Sequence, residues 1–268
     1  MNVRWLARIG EMNLGAVGNA MDEVNATKSR NKTIAVFGAG SGLGASLATR
    51  FGREGYRVAL VARRLAPLEQ RVAELARDGV EAEAFPSDLN DLVSIPALVR
   101  AIEQRFGSID VAVYQAVGEF APVPAVDLNA ARLQALATLF AFSPIEVSHA
   151  VLPGMLARGD GAIIIVGGLQ TVVRMQGGPS GVGPMMTAAY NYISSLNTEV
   201  APMGVFAGIV NVGAVIEHSA GFRAMRACGL LVNKGYQLVS PDDVAQKLWT
   251  LVNKRNQVEA IITSRSQK

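Results

Sequence analysis

Residues 33–44 read TIAVFGAGSGLG, and this stretch decides the fold. The first six residues, Thr33–Gly38, predict a short buried strand, and the segment after the glycines, ASLATRFGREG, has the apolar spacing of a helix. Between them Gly38, Gly42 and Gly44 follow the spacing Gly-x-x-x-Gly-x-Gly. Glycines let the backbone turn tightly and approach a phosphate, which then binds the N–H groups at the helix start. A turn without a ligand could use the same glycines, but the order strand, turn, helix favours nucleotide binding.

The rest of the chain repeats this alternation of short apolar runs with longer segments of helical periodicity. Such alternation predicts a parallel sheet that is covered by helices on both faces. We therefore predict an α/β fold with a Rossmann-type doubly wound sheet of about seven strands. The predicted strands are Thr33–Gly38, Arg57–Ala62, Val80–Phe85, Asp110–Gln115, Ala162–Gly167, Val205–Val212 and a last one from Val258.

Domain organisation follows from the absence of any break in this pattern. No repeat or low-complexity linker interrupts it after Asn31, so we expect one domain over residues 32–268. Residues 1–31 contain acidic side chains and lack the continuous apolar run of a secretory signal, so we expect a flexible N-terminal extension.

Composition narrows the classes of function. Cys228 is the only cysteine, which excludes a disulfide framework, offers no metal cluster and indicates a reducing, cytoplasmic compartment. The net charge of +3 is mild and no basic cluster interleaves with aromatic residues, so we expect neither nucleic-acid nor membrane binding. Charged residues make up only 18% of the chain, against roughly 25% in an average globular protein. This scarcity suggests that further copies of the chain cover part of the surface, in a homodimer or homotetramer.

The chain from about Lys32 onward resembles the classical short-chain dehydrogenase/reductase family. The resemblance rests on the glycine spacing and on the segments VALVARR, PSDLND, LPGMLARGDGAIIIV and LNTEVAPMGV, although Phe37 replaces the usual Thr before the first glycine. It implies a nucleotide site that comprises Gly38, Gly40, Ser41, Gly42, Leu43, Gly44, Arg63, Arg64, Asp88, Leu89, Ala116, Gly213 and Val215.

The end of the second predicted strand bears on the choice of cofactor. Relatives that prefer NAD(H) place an acid there, which would repel a 2′-phosphate. This chain has Ala62, Arg63 and Arg64 instead, and guanidinium groups suit a phosphate by charge and by geometry. We therefore expect NADP(H), with the alternative that both arginines only solvate a helix start.

The same resemblance implies that the catalytic groups are missing. The family positions of the catalytic Asn, Ser, Tyr and Lys hold Phe140, Gly168, Val182 and Met186. An error of register does not explain the loss, because the sequence has no lysine between Lys32 and Lys234. The uncharged helix that begins near Val182 would then serve to join subunits.

Two features of the remodelled site can be anticipated. Pro144 has no N–H to donate to the carbonyl of Phe140, so we expect a kink there that directs Phe140 toward the pocket. The result would be either a dry, close-packed filling or an apolar substrate pocket. Glu217 is a surrogate proton donor by position, or else part of a solvated loop; Glu119, Gln170, Thr171 and Arg174 are further candidates on the rim.

Three functions remain open at this stage. The first is an NADP(H)-binding oxidoreductase that acts on a small hydrophobic carbonyl substrate by unconventional proton delivery. The second is a non-redox enzyme, such as a cyclase or isomerase, that uses the apolar pocket as a template. The third is a catalytically silent binding or scaffold protein.

Overall fold

The computed structural model describes residues 31–118, 124–168, 181–227 and 237–263. The predicted extension lies outside this range except for Asn31, as do Glu119, Gln170, Thr171, Arg174 and Cys228. All described residues from Lys32 onward belong to one compact unit. The boundary at residue 32 and the flexibility of the extension stay predictions.

Seven strands form the main sheet, and the prediction of a doubly wound parallel sheet is confirmed. Their order across the sheet is β3-β2-β1-β4-β5-β6-β9, and every neighbouring pair is parallel. The strands are β1 (Thr33–Phe37), β2 (Arg57–Ala62), β3 (Ala82–Pro86), β4 (Val111–Tyr114), β5 (Gly161–Gly168), β6 (Val205–Val212) and β9 (Glu259–Ile262). Strands β7 (Val215–Ile216) and β8 (Leu238–Val239) pair as a separate two-stranded sheet that the sequence did not indicate.

Helices cover both faces of the main sheet because its central strands bury side chains on both sides. In β1, Ile34 and Val36 belong to one apolar cluster, whereas Ala35 and Phe37 belong to the other. Helices α1 (Leu43–Gly52), α2 (Leu65–Arg77) and α8 (Pro241–Lys254) pack into the first cluster. Helices α3 (Ile95–Phe106), α5 (Ser143–Arg158) and α6 (Gly183–Val200) pack into the second. The remaining helices are α4 (Ala130–Ala137) and α7 (Ala220–Ala227).

A π-helical turn, Thr138–Phe142, joins α4 to α5 directly before Pro144. At the place where we expected a kink, the structure has a local widening of the helix, in which an extra residue separates the hydrogen-bonded groups; the kink itself stays a prediction. The whole helix from Ala130 to Arg158 is long and apolar enough to span a membrane by length and composition alone. In the described structure, 44% of its most apolar window is buried.

The winding direction of the sheet reverses between β1 and β4, so the loops after these two strands meet at its carboxyl edge. Gly38 has a φ of +91°, and a Cβ atom built there would lie 2.5 Å from Cα of Ala116. A residue with a side chain is thus excluded at this position by both backbone conformation and space. The meeting of the two loops depends on Gly38.

Gly38→Ala should destabilise the protein much more than Gly55→Ala. Gly55 also has a positive φ, +82°, but a Cβ atom there would meet nothing within 4 Å. The left-handed backbone should cost both variants about 1–2 kcal/mol, while displacement of Ala116 should cost Gly38→Ala roughly 1–3 kcal/mol more. Chemical denaturation of both variants measures the difference, and equal losses of stability would contradict the close approach.

Candidate functional site

A groove of about 810 Å³ runs along the carboxyl edge of the sheet. It begins at the loop after β2, crosses the glycine turn after β1 and continues past the ends of β4, β5 and β6. The predicted site residues that line it are Gly38, Gly40, Ser41, Gly42, Leu43, Gly44, Arg63, Arg64, Asp88, Leu89, Ala116, Gly168, Val182, Met186 and Val215. Of the described residues that the sequence pointed to, Gly213, Phe140 and Glu217 are not part of its lining.

The glycine turn lines the groove, and its glycines have different structural roles. A Cβ atom at Gly44 would lie 2.8 Å from Cα of Ala39, so this glycine lets α1 start close to the turn. A Cβ atom at Gly40 would have only the carbonyl oxygen of Gly38 near it, at 4.0 Å, so its place is open. The N-cap residue of α1 is Gly42, and no side chain in the described ranges caps this helix. The first N–H groups of a helix lack internal partners and favour a bound anion.

Positive charge gathers at the end of the groove beside β2. Arg63 and Arg64 are exposed, and neither forms a salt bridge with a carboxylate in the described ranges. Asp88 faces the same end, and its Oδ1 accepts hydrogen bonds from the backbone N–H and side-chain amide of Asn90 at 3.0 and 2.9 Å. These bonds, and to a lesser degree the charge of Arg63, lower the pKa of Asp88. This end can therefore bind a phosphate on one side and a polar base on the other.

The opposite end of the groove is apolar. Gly168, Val182 and Met186 line it, and Val182 is only 2% exposed. Below Met186 lies a separate cavity of about 10 Å³, which Phe140, Pro144 and Tyr114 help to line. A cavity of this size holds at most about one water molecule, and a water there would need polar partners. Phe140, 5% exposed, packs beneath the groove against this small cavity, while Val182 and Met186 face the groove itself.

Tyr114 also lines the small cavity beneath the groove, and its role was not predicted from the sequence. Its hydroxyl donates a hydrogen bond of 2.6 Å to the carbonyl oxygen of Leu139, which lies in the π-helical turn. Burial raises the pKa of the phenol far above its ordinary value, so Tyr114 is a neutral donor at physiological pH. The signal was present in the sequence as a tyrosine at the end of the fourth strand, but its partner is visible only in three dimensions.

Glu217, Gly213 and Tyr190 are not part of the lining of the groove. Glu217 is half-buried after β7, where its backbone N–H donates to the carbonyl oxygen of Val239 at 3.0 Å. Gly213 likewise serves the backbone, since its N–H donates to the carbonyl oxygen of Ile262 at 2.7 Å. Tyr190, two helical turns beyond Val182, donates to Oε2 of Glu259 at 3.2 Å. The segment after β6 instead contributes Ser219 and Arg223 to the groove.

A parallel sheet with a glycine turn at its switch point and a groove above it defines a dinucleotide-binding fold. The sequence model of the short chain dehydrogenase family matches residues 32–220. The chain therefore belongs to the short-chain dehydrogenase family.

Known proteins are similar in sequence to different parts of this chain. A fatty acyl-CoA reductase of Mycobacterium tuberculosis is 35% identical over 148 residues, which are 55% of this chain and 49% of that enzyme. The chain thus spans about half the length of this relative. A Drosophila melanogaster protein described as dehydrogenase/reductase SDR family protein 7-like is 28% identical over 250 residues, or 87% of this chain and 74% of that protein.

A solved structure agrees in fold. The L-sorbose reductase from Gluconobacter frateurii, crystallised with NADPH and L-sorbose, superposes with a TM-score of 0.77 at 21% identity. The superposition covers 88% of this chain and 96% of the reductase.

Tyr114→Phe should cost about 1–2 kcal/mol of stability, because the half-buried carbonyl of Leu139 loses its donor. Tyr190→Phe removes the same atom from a less buried tyrosine and should cost clearly less. Urea denaturation of the two variants provides the measurement. A neutral Tyr114→Phe would mean that the π-helical turn does not need the phenol.

Proposed function

We propose that this chain binds NADP(H) in the groove and acts as an oxidoreductase on a small hydrophobic carbonyl substrate. The observation that carries the proposal is the joint presence, in one groove, of the glycine turn and of two arginines at the end of β2 that form no salt bridge within the described residues. Family membership supports it, and the L-sorbose reductase of the same fold was crystallised with NADPH. The acyl-CoA reductase among the relatives is in keeping with an apolar substrate.

The residues of the groove fit the parts of this cofactor. The N–H groups around Gly40 and Gly42 would hold the diphosphate, and Arg63 would pair with the 2′-phosphate. Asp88 and Leu89 would border the adenine. Ala116, Gly168 and Val215 would border the nicotinamide half, for which the groove has room beyond the glycine turn.

The source of the proton for the reaction is the unusual part of this proposal. When bound, NADPH supplies a hydride to a carbonyl carbon. Gly168, Val182 and Met186 carry no exchangeable side-chain proton, and neither does Phe140. We propose that the family's Asn-Ser-Tyr-Lys set is absent from this chain and that solvent in the groove provides the proton. A missing general acid typically slows turnover about 10²–10⁴-fold, so the enzyme would be slow.

The apolar packing beneath the groove favours a second candidate function, in which hydride transfer no longer occurs. The side chains of Phe140 and Met186 around the small cavity are apolar, and the hydroxyl of Tyr114 donates to the carbonyl of Leu139. The chain would then be a non-redox enzyme, such as a cyclase or isomerase, or a catalytically silent binding or scaffold protein. Oxidation of NADPH with a panel of hydrophobic ketones separates the candidates, since only the first consumes the cofactor.

Self-association and location complete the proposal. The exposed residues of α6 from Pro184 to Ser195 are uncharged, which suits a helix that packs against another copy. We propose a cytoplasmic homodimer or homotetramer, without nucleic acid or membrane partners. Light scattering on the purified protein measures the number of copies.

Arg63→Ala should weaken the binding of NADPH about tenfold or more and leave the binding of NADH nearly unchanged, because only NADPH has the 2′-phosphate. Arg77→Ala is the matched control, since Arg77 ends the neighbouring helix and is exposed outside the groove. Fluorescence titration measures both ligands. Equal weakening of NADPH and NADH by Arg63→Ala would remove the arginine from the 2′-phosphate site.

Restoring the family's groups in the combined variant Phe140→Asn, Gly168→Ser, Val182→Tyr, Met186→Lys should raise the rate of ketone reduction about 10²-fold or more. The combination without Val182→Tyr is the control, because it lacks the proton donor. A folded variant that binds NADPH and shows no gain would mean that these positions do not form the family's catalytic geometry here.

A further inference from the structure

Ser41, His218 and Arg223 form a contact that joins the glycine turn to the segment after β6. The hydroxyl of Ser41 donates to the carbonyl oxygen of His218 at 3.0 Å and accepts from Nη1 of Arg223 at 2.8 Å. The same Nη1 donates to the carbonyl oxygen of His218 at 2.7 Å. Ser41 is thus hydrogen-bonded to two groups that lie 177 and 182 residues away in sequence.

The surrounding backbone places Arg223 at this point. A Cβ atom at Gly42 would lie 3.0 Å from Cα of Ser219, so the missing side chain lets the segment approach the turn. The hydroxyl of Ser219 accepts from the backbone N–H of Phe222 at 3.0 Å and thereby caps α7. His218 has a φ of +60°, a conformation that residues other than glycine keep only where the surroundings hold them.

Arg223 retains binding capacity after these contacts. Both of its recorded hydrogen bonds come from Nη1, so Nε and Nη2 have no acceptor among the described residues. No carboxylate in the described part of the chain forms a salt bridge with it, and its side chain lines the groove. A guanidinium group with free donors beside an uncapped helix start is suited to a phosphate oxygen.

Charge along the groove supports two separate phosphate positions. Four arginines line it, and one of them, Arg71, is neutralised by Glu74 at 2.8 Å. Of the other three, Arg63 and Arg64 follow β2, whereas Arg223 contacts Ser41 inside the glycine turn. A ligand with a phosphate at each place would meet a cation at each place.

We propose that Arg223 is a diphosphate-binding residue of the cofactor groove. It would add charge to a turn that otherwise offers only N–H groups, and Ser41 and the carbonyl of His218 would orient its guanidinium. The inference rests on the proposed binding of NADP(H). It assigns to helix α7 a contact with the diphosphate that the glycine motif by itself does not provide.

Three nucleotides separate this role from that of Arg63. NADPH carries both the diphosphate and the 2′-phosphate, NADH only the diphosphate, and adenosine 2′-monophosphate only the 2′-phosphate. Arg223→Ala should weaken NADPH and NADH alike, about tenfold or more, and leave adenosine 2′-monophosphate unchanged. Arg223→Lys keeps the charge without the fork geometry and should restore part of the affinity. Arg226→Ala removes the same charge from an exposed position on α7 outside the groove and should change affinity less than about twofold.

Titration calorimetry on the full chain gives the dissociation constants, and thermal unfolding shows that each variant is folded. Weakening confined to the two diphosphate ligands supports the proposal. Unchanged binding of NADPH and NADH to Arg223→Ala overturns it and leaves the proposed function intact. Equal weakening of all three nucleotides also overturns it, since Arg223 would then only hold the turn in shape. If the unmodified protein does not bind NADPH, the proposed function fails and this inference fails with it.

Discussion

The structure depends on the contact between the loops after β1 and β4 at the carboxyl edge of the sheet. Gly38 approaches the backbone of Ala116 so closely that no side chain fits between them. The amide of Gly38 also donates to the carbonyl oxygen of Val61 at 2.9 Å, which ties the turn to β2. Because the direction of winding reverses here, helices diverge to opposite faces and leave a groove above the strands. Every later feature of the site is positioned by this junction.

The end of the groove beside β5 and α6 is governed by packing rather than by hydrogen bonding. Pro144 cannot donate a backbone hydrogen bond, and the π-helical turn before it presents the carbonyl of Leu139 to the hydroxyl of Tyr114. Phe140 and Met186 fill the space that remains, down to a cavity of about 10 Å³. The aromatic ring at position 140 is compatible with this arrangement, because Tyr114 already satisfies the backbone carbonyl of Leu139. A polar group restored at one position alone would therefore meet apolar neighbours.

The other parts of the groove remain polar and positively charged. Arg63 and Arg64 lie at one end, and Arg223 lies beside the glycine turn, where Ser41 and the carbonyl of His218 hold its Nη1. Arginines that form no salt bridge within the described residues and line one groove are suited to an anionic ligand. The contrast between charged binding positions and an apolar reaction centre is the basis for proposing retained cofactor binding with altered chemistry.

The sequence by itself determined the order of strands and helices, the parallel sheet and the glycine turn, because these follow from local periodicity and from the backbone freedom of glycine. It also located most of the groove, since loops after parallel strands must lie on one edge. Strand limits moved by one or two residues: the third strand is Ala82–Pro86 instead of Val80–Phe85, because the ends depend on pairing with a neighbour. Only the tertiary structure decided that Phe140 is packed beneath the groove, that Glu217 lies outside its lining, and that Tyr114 and Arg223 take part. Those outcomes depend on contacts between residues far apart in the chain, such as Ser41 with Arg223, and no local pattern encodes such a distance.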